Sequence, residues 1–286
     1  MSKLLTLSFG DRGKDVKVLQ RVLALKQDGI FGRNTERAVE RFQKDSDLYV
    51  DGIVGPITWR ALLATEAPNS TPIQKQPWVK VKVTKYKQGY AGLTLRKETA
   101  ERLELVSDKV YGAGGILTSS GGRRPLSSSV GPNRSKTSLH YTGRAFDLFL
   151  WSGMIDPAKD PFVVELDDKD RRLWRVYVVC EDAPLKDLTA WTYDRTQISV
   201  RRRVIDLTAL LRSHGFSRIP ARRSFFRSGS RGAAEWWHFQ DIEGLTHKVS
   251  TFGDELLKVW SKGALVESPV WNYRDYVWNN YGFSRS

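Results

Sequence analysis

The hydrophobic pattern at the N-terminus has helical spacing and repeats itself. After the polar residues 11–15, apolar side chains recur at intervals typical of an amphipathic helix: Val16, Leu19, Val22 and Leu23. Residues 28–39 return as residues 51–62, offset by 23 positions, and both copies begin with Asp-Gly and a second glycine, which favour a tight turn with positive φ. The pattern therefore predicts three short helices joined by two similar turns.

Later segments predict a linker followed by a region that mixes strands and helices. Residues 66–78 hold three prolines among polar residues and show no periodicity, as in a semi-extended linker. Alternation of valine with polar residues over 79–84 predicts a strand. The spacing over 97–110 predicts a helix with three inward-facing side chains: Leu103, Leu105 and Val106.

Composition fits a globular protein with two cores. Of its 286 residues, 40% are hydrophobic and 27% are charged, which suits one small and one medium domain. The formal net charge of +14 predicts attraction to a polyanion, but it gives only the sign of the partner's charge. Basic runs at 201–203 and 222–231 stand beside no nucleic-acid-binding motif, so we expect no nucleic-acid partner.

Cysteine content and hydropathy bear on disulfide formation, export and membrane insertion. The single cysteine, Cys180, cannot form an internal disulfide and follows an apolar run, so we expect it to be buried. The first residues lack the apolar core of a signal peptide, and no stretch reaches the roughly 20 apolar residues of a membrane span. We expect a monomer that is synthesised in the cytoplasm without a signal peptide and does not insert into membranes.

Metal-ligating residue types are concentrated in two motifs of the later region: Ser138-Leu-His140-Tyr-Thr-Gly143-Arg-Ala145-Phe-Asp147 and Glu235-Trp-Trp-His238. Two histidines and an aspartate match the three protein ligands of a catalytic zinc ion, whose fourth position is left to water. Gly143 permits a turn between His140 and a strand that carries Asp147. The remaining histidines, His214 and His247, are expected to be structural.

Residues 7–63 resemble the peptidoglycan-binding domain found on many wall hydrolases. The domain's opening motif, Gly-Xaa-Xaa-Gly-Xaa-Asp-Val-Xaa-Xaa-Leu-Gln, is present at residues 10–20, and the doubled Asp-Gly-Ile-Xaa-Gly makes the resemblance specific. The resemblance implies peptidoglycan as the partner, bound in a groove beside the repeated loops. The alternative is a generic three-helix bundle whose glycines serve only the turns.

The later region resembles a family of zinc peptidases, the D-alanyl-D-alanine carboxypeptidases and dipeptidases, which also includes phage L-alanoyl-D-glutamate endopeptidases. Their signature is Ser-Xaa-His-Xaa-Xaa-Gly-Xaa-Ala-Xaa-Asp with Glu-Xaa-Xaa-His, and each position is filled in this sequence. The resemblance implies a Zn²⁺ cofactor held by His140, Asp147 and His238, with Glu235 as the general base.

The same resemblance implies two substrate-binding residues. Residues 120–123, Ser-Gly-Gly-Arg, are similar to the family's Ser-Gly-Xaa-Arg element, which implies that Arg123 binds the substrate and helps to neutralise its oxyanion. Ser138, which opens the first signature, is the second such residue. Two segments depart from the family pattern: an insertion or lid over residues 155–199, and an aromatic tail over residues 260–283.

The predicted fold class is α+β. It comprises a three-helix wall-binding domain at 1–65, the linker at 66–78, and a zinc peptidase domain at 79–286 whose central antiparallel sheet carries the three ligands. The predicted function is hydrolysis of peptide bonds in peptidoglycan stem peptides, as in a phage endolysin; D,D-carboxypeptidase and L-alanoyl-D-glutamate endopeptidase activity both remain open. The alternatives are a non-catalytic wall-binding or phage structural protein that retains the fold, and a nucleic-acid binder suggested by charge alone.

Overall fold

The computed structural model describes most of the chain, in two compact units, one within residues 1–74 and the other within residues 75–272. The described residues are 6–46, 48, 50–55, 58–59, 61–62, 77–128, 135, 137–168, 170, 172–245, 252–261, 264–265 and 268. Most of the predicted linker, His247 and the aromatic tail beyond residue 268 lie outside these residues.

The first unit contains helices α1 (Lys14–Val22) and α2 (Arg33–Asp45). Helical backbone is also present at residues 58–59 and 61–62, but parts of the third predicted helix lie outside the described residues. The helices enclose a small core of fully buried apolar side chains: Leu7, Val16, Leu19, Phe31, Val39, Val54, Trp59 and Leu62.

A buried glutamine organises each copy of the repeated turn. Gln20 donates through Nε2 to Asp28 Oδ1 at 2.7 Å and to Ile30 O at 3.0 Å, and its Oε1 accepts from Gly29 N at 2.8 Å. The second copy repeats these contacts around Gln43: Asp51 Oδ1 at 2.8 Å, Ile53 O at 2.8 Å and Gly52 N at 2.9 Å. The repeat therefore encodes a hydrogen-bonded turn that is tied to the preceding helix.

Gln43→Leu is expected to destabilise the first unit, because leucine fills the space but leaves buried turn groups unpaired. Each such group costs about 1–3 kcal/mol. Hydrogen exchange of the full-length protein, followed over residues 6–62, measures the loss of protection. Lys44→Leu, which places the same side chain at the exposed neighbouring position, is the control. Equal protection in the two variants would contradict the role of the glutamine.

The second unit is built on antiparallel strands. β1 (Trp78–Lys82) pairs with β2 (Gly92–Arg96), which confirms the predicted first strand. A three-stranded sheet has the order β3-β9-β8, with these bounds: β3 (Ala145–Asp147), β8 (Phe216–Arg218) and β9 (His238–Asp241). The segment between Gly121 and Arg123 joins the two sheets, because Arg123 N donates to Thr94 O at 2.6 Å and Asp147 N donates to Gly121 O at 2.9 Å.

The predicted insertion forms most of a further sheet. It consists of four antiparallel strands in the order β4-β5-β7-β6: β4 (Phe162–Leu166), β5 (Trp174–Val179), β6 (Leu185–Trp191) and β7 (Gln197–Asp206). Phe162, Val164 and Trp174 belong to the main hydrophobic core of the unit. Val163 and Tyr177 belong instead to a separate small cluster. The insertion is therefore part of the folded core.

The basic run on β7 is engaged in contacts within this sheet. Arg202 Nη1 donates to Pro157 O at 2.7 Å, and Arg203 Nη1 donates to Ala183 O at 3.0 Å. The exposed Arg201 forms an ion pair with Asp187 at 3.5 Å. These arginines therefore stabilise the sheet and its flanking loops.

Helices α3 (Lys97–Gly112), α4 (Leu207–Arg212) and α5 (Phe252–Leu257) complete the second unit. The predicted helix at 97–110 is confirmed, with Leu103 and Val106 fully buried, but the prediction for Leu105 is wrong, because its side chain is 55% exposed. A helix buries positions three and four apart, and Leu105 lies on the opposite face from Leu103. Among the described residues, none of the helices has the length and apolar character needed to cross a bilayer.

A buried ionic network joins α5 to the end of β2 and to the residue before β3. Glu255 Oε2 accepts from Arg96 Nη1 at 2.6 Å and from Arg144 Nε at 2.7 Å, while Lys258 Nζ lies 2.7 Å from Glu255 Oε1. Burial alone would raise the pKa of Glu255, but Arg144, Arg96 and Lys258 together outweigh it and lower this pKa to about 2. Since Arg144 immediately precedes β3, the network fixes the strand that carries Asp147.

Candidate metal centre

Three metal-ligating side chains meet at one point in the second unit. His140 Nε2 lies 3.2 Å from Asp147 Oδ2 and 3.3 Å from His238 Nδ1, and His238 Nδ1 lies 2.9 Å from Asp147 Oδ1. All three ligand atoms are within 4.8 Å of one another. The structure thus brings together the three predicted ligands, although 91 positions separate Asp147 from His238.

The register of β3 and β9 places two of the ligands side by side. Asp147 pairs directly with His238, so both side chains leave the sheet on the same face. The preceding pair, Phe146 and Phe239, faces the other way and stacks in the core with ring centroids 5.7 Å apart. Alternation along both strands therefore separates the polar ligands from the apolar core.

His140 does not lie on the sheet, so the prediction that the sheet carries all three ligands is wrong at this residue. It lies in a 3₁₀ helix, Leu139–Thr142, which ends at Gly143 with a φ of 69°. A Cβ at Gly143 would lie 2.5 Å from Trp78 Cζ3 and 2.8 Å from Arg96 N. Glycine is thus required both for the left-handed turn and for space, and this turn folds His140 back over β3.

A backbone carbonyl orients the His140 ring. Its Nδ1 donates to Gly122 O at 2.6 Å, which fixes the tautomer and leaves the Nε2 lone pair directed at the other two ligands. Gly122 is itself close-packed, because a Cβ there would lie 2.6 Å from Thr94 O. The carbonyl is therefore held in place by the neighbouring strand.

The electrostatics of the cluster favour an ionised aspartate. Burial alone would raise the pKa of Asp147, but the charges and hydrogen bonds of His140 and His238 outweigh it and lower this pKa below its usual range. A deprotonated carboxylate beside two imidazole nitrogens is the form in which this set of groups binds a cation.

Donor chemistry and spacing both fit a zinc ion. Two imidazole nitrogens and one carboxylate oxygen are a ligand set that zinc takes in catalytic sites. Ligands about 2.0–2.1 Å from a tetrahedral zinc ion lie roughly 3.3 Å from one another. His140 Nε2 and His238 Nδ1 lie 3.3 Å apart, which matches this value, and they lie 3.2 Å from Asp147 Oδ2 and 2.9 Å from Asp147 Oδ1, respectively.

Glu235 lies at a strained turn just before β9. Its φ is 55°, a left-handed value that is uncommon for a residue with a side chain. The half-buried carboxylate accepts a hydrogen bond from Arg222 Nε at 2.9 Å. β9 begins at His238, so Glu235 precedes the strand by three residues. Strain held at this position is typical of functional sites.

The two predicted substrate-binding residues are placed differently. The Arg123 guanidinium lies 4.7 Å from the Trp78 ring centroid and 4.6 Å from that of Trp260, so it packs against both rings. Ser138 immediately precedes the 3₁₀ helix of His140, and its carbonyl accepts from Tyr141 N at 3.1 Å. Neither placement tests the roles that the family resemblance implies, and these stay predictions.

Several residues that position the site were not identified from the sequence. Gly122 acts through its carbonyl, which leaves no side-chain signature. Arg222 was visible only as part of a basic run. Trp260 donates through Nε1 to Tyr141 O at 2.6 Å, which joins the start of the aromatic tail to the 3₁₀ helix of His140. Each contact spans a long stretch of chain, so local patterns could not reveal it.

Comparison with known families identifies the first unit. Residues 12–62 match the family described as "Putative peptidoglycan binding domain". This match confirms the resemblance found in the doubled turn motif.

Comparison with individual proteins gives partial matches. The zinc D-Ala-D-Ala carboxypeptidase of Streptomyces albus G is 29% identical over 157 residues, covering 50% of this chain and 60% of that protein. An uncharacterized protein in the bpoA1 3′ region of Kitasatospora aureofaciens is 39% identical over 74 residues, covering 23% of this chain and 63% of that protein. The chain thus spans about three-fifths of the length of these curated relatives.

One solved structure matches a smaller portion of this chain than the zinc carboxypeptidase does. The crystal structure of Burkholderia AP3 phage endolysin is 31% identical, covering 37% of this chain and 33% of that chain, with a TM-score of 0.21. Similarity at this TM-score supports no structural inference. The resemblance to a zinc carboxypeptidase therefore rests on the sequence comparison.

Proposed function

We propose that this chain is a zinc metallopeptidase that hydrolyses peptide bonds in the stem peptides of bacterial peptidoglycan, with its first unit binding the wall. The observation that carries the proposal is the cluster of His140, Asp147 and His238, whose ligand atoms all lie within 4.8 Å of one another. The peptidoglycan-binding match at residues 12–62 supplies the substrate class. The curated zinc carboxypeptidase relative supports the same reaction class.

Different residues of the chain have different roles in the proposed reaction. When bound, zinc supplies Lewis-acid chemistry, because it lowers the pKa of water and polarises a carbonyl group. Glu235 takes the proton of the attacking water and passes it to the leaving amine. Arg222 holds the Glu235 carboxylate through its Nε hydrogen bond, which restricts the directions in which the base can point. Arg123 is assigned to the oxyanion by family resemblance alone.

Two activities fit these residues equally. A D,D-carboxypeptidase would release the terminal D-alanine, whereas an L-alanoyl-D-glutamate endopeptidase would cut nearer the glycan. Both use the same ligands and base, so the side chains that recognise the substrate decide between them. An endolysin-like role, with the first unit concentrating the enzyme on the wall, is compatible with either bond.

Digestion of defined muropeptides tests the proposal. The full-length protein is loaded with zinc and incubated with muropeptides, and the released fragments are identified by mass spectrometry. We expect one stem-peptide bond to be cut, activity to vanish with a chelator and zinc to restore it. Released D-alanine would identify a carboxypeptidase, and a new D-glutamate N-terminus would identify an endopeptidase. Intact muropeptides after digestion by zinc-loaded protein would overturn the proposal and favour a non-catalytic wall-binding protein.

A further inference from the structure

A groove on the first unit lies along one face of α2. Its volume is about 540 Å³. Leu23, Leu25 and Phe42 give it an apolar floor, while Arg37 and Arg41 extend from successive turns of the helix. The groove therefore combines an apolar surface with two guanidinium groups at the spacing of one helical turn.

Charged residues of each sign form a separate row along α2. Arg33, Arg37 and Arg41 follow one another at intervals of four residues, whereas Glu36 and Glu40 lie on the side that faces Gly52. Arg37 and Arg41 both line the groove, so this row places two guanidinium groups beside the apolar floor.

The two arginines of the groove have no partner within the described part of the chain. No ion pair or side-chain hydrogen bond to Arg37 or Arg41 is found among these residues, although both are exposed. One carboxylate, Asp45, also lines the groove, so the lining carries two positive charges against one negative. An anionic ligand would therefore find two free guanidinium groups.

We propose that this groove binds the carboxylates of the peptidoglycan stem peptide. Guanidinium groups recognise carboxylates by paired, charge-assisted hydrogen bonds. The alanine methyl groups of a stem peptide are apolar and fit the floor formed by Leu23, Leu25 and Phe42. The inference rests on the proposed function, in which the first unit binds the wall, and it identifies the part of the wall that is recognised.

Co-sedimentation of the full-length protein with purified sacculi tests the groove. The R37Q/R41Q variant removes both guanidinium groups, while R12Q/R21Q removes two exposed arginines of the same unit that do not line the groove. At one fixed salt concentration we expect the dissociation constant of R37Q/R41Q to rise about tenfold or more, since two charge-assisted hydrogen-bonded pairs are lost. The control pair is expected to change it less than about twofold.

Chemical treatment of the sacculi identifies the anion. Amidation of the stem-peptide carboxyl groups is expected to weaken wild-type binding as much as R37Q/R41Q does, whereas removal of phosphate polymers is expected to leave it unchanged. Equal losses in the two double variants would reduce the effect to general charge attraction and overturn the proposal. A loss on phosphate removal without a loss on amidation, or no wild-type binding at all, would overturn it as well.

Hydrolysis by the wild-type chain is measured separately on a small soluble stem peptide. If this peptide is cut but R37Q/R41Q binds sacculi normally, the groove assignment fails and the peptidase proposal stands. If the groove variant loses binding but the peptide is not cut, the peptidase proposal fails and the groove assignment stands.

Discussion

Asp147→Ala is expected to abolish zinc binding, whereas Glu235→Ala is expected to retain zinc and lose activity. Asp147 lies within 2.9–3.2 Å of the other two ligand atoms, so its removal opens the coordination shell directly. Glu235 is expected to contact the attacking water and not the metal, and the loss of a general base lowers the rate by about 10²–10⁴-fold. Both variants should therefore be nearly inactive on cell wall, yet differ in zinc content.

Elemental analysis of zinc per chain, beside the rate of new amine groups released from peptidoglycan, separates the two variants. His238→Ala should behave as Asp147→Ala does. His214→Ala is the matched control, because this ring lies at the end of α4, where its Nδ1 donates to Leu210 O at 2.8 Å. It should keep both zinc and activity. Wild-type turnover in Glu235→Ala, or continued cutting by chelator-treated protein, would contradict the mechanism.

Glu255→Gln is expected to reduce the free energy of unfolding of the second unit by about 3–5 kcal/mol, because it removes the buried carboxylate that two buried guanidinium groups share. The Glu255 side chain is 3% exposed, and the side chains of its partners Arg96 and Arg144 are also buried. Glu98→Gln is a matched control, since Glu98 contacts the same Arg96 at 2.9 Å but is 44% exposed. Exposed pairs contribute about 0–1 kcal/mol. Chemical unfolding of both variants measures the difference, and equal losses would contradict the assignment.

The same network predicts a pH dependence with a definite sign. The pKa of Glu255 is about 2 in the folded protein and near its ordinary 4.5 in the unfolded chain. The lowered pKa adds stability that is complete above 4.5 and is lost as the pH falls through 4.5 towards 2. The difference in unfolding free energy between wild type and Glu255→Gln should therefore shrink over this range. A constant difference would contradict the lowered pKa.

Much of the candidate site could be predicted from the sequence because its chemistry depends on residue type. His140, Asp147 and His238 stand in two short motifs whose members zinc can bind, and Gly143 stands where the backbone needs a left-handed turn. The placement of His140 on a 3₁₀ helix could not be predicted. That placement depends on the packing of Gly143 against Trp78 and Arg96, both of which are far from Gly143 in the sequence.

Fold predictions succeeded where a local pattern decides the structure and failed where packing does. The strand at β1 and the helix at α3 follow from alternation and helical spacing. The inward assignment of Leu105 failed because hydrophobic character alone did not fix which face of α3 meets the core. The sheet formed by the insertion at 155–199 was not predicted either, since its strands are recognisable only when paired.

The sequence by itself determined the local features of this protein: the repeated turns at Asp28 and Asp51, the buried character of Cys180, and the ligand types of the metal centre. Only the tertiary structure decided which distant groups meet. It set Asp147 opposite His238, directed the Gly122 carbonyl at His140, and joined α5 to the site through a buried ionic network. The physical reason is that turns and periodicity depend on neighbours along the chain, whereas register, ring orientation and buried ion pairs depend on contacts between segments that fold together from far apart.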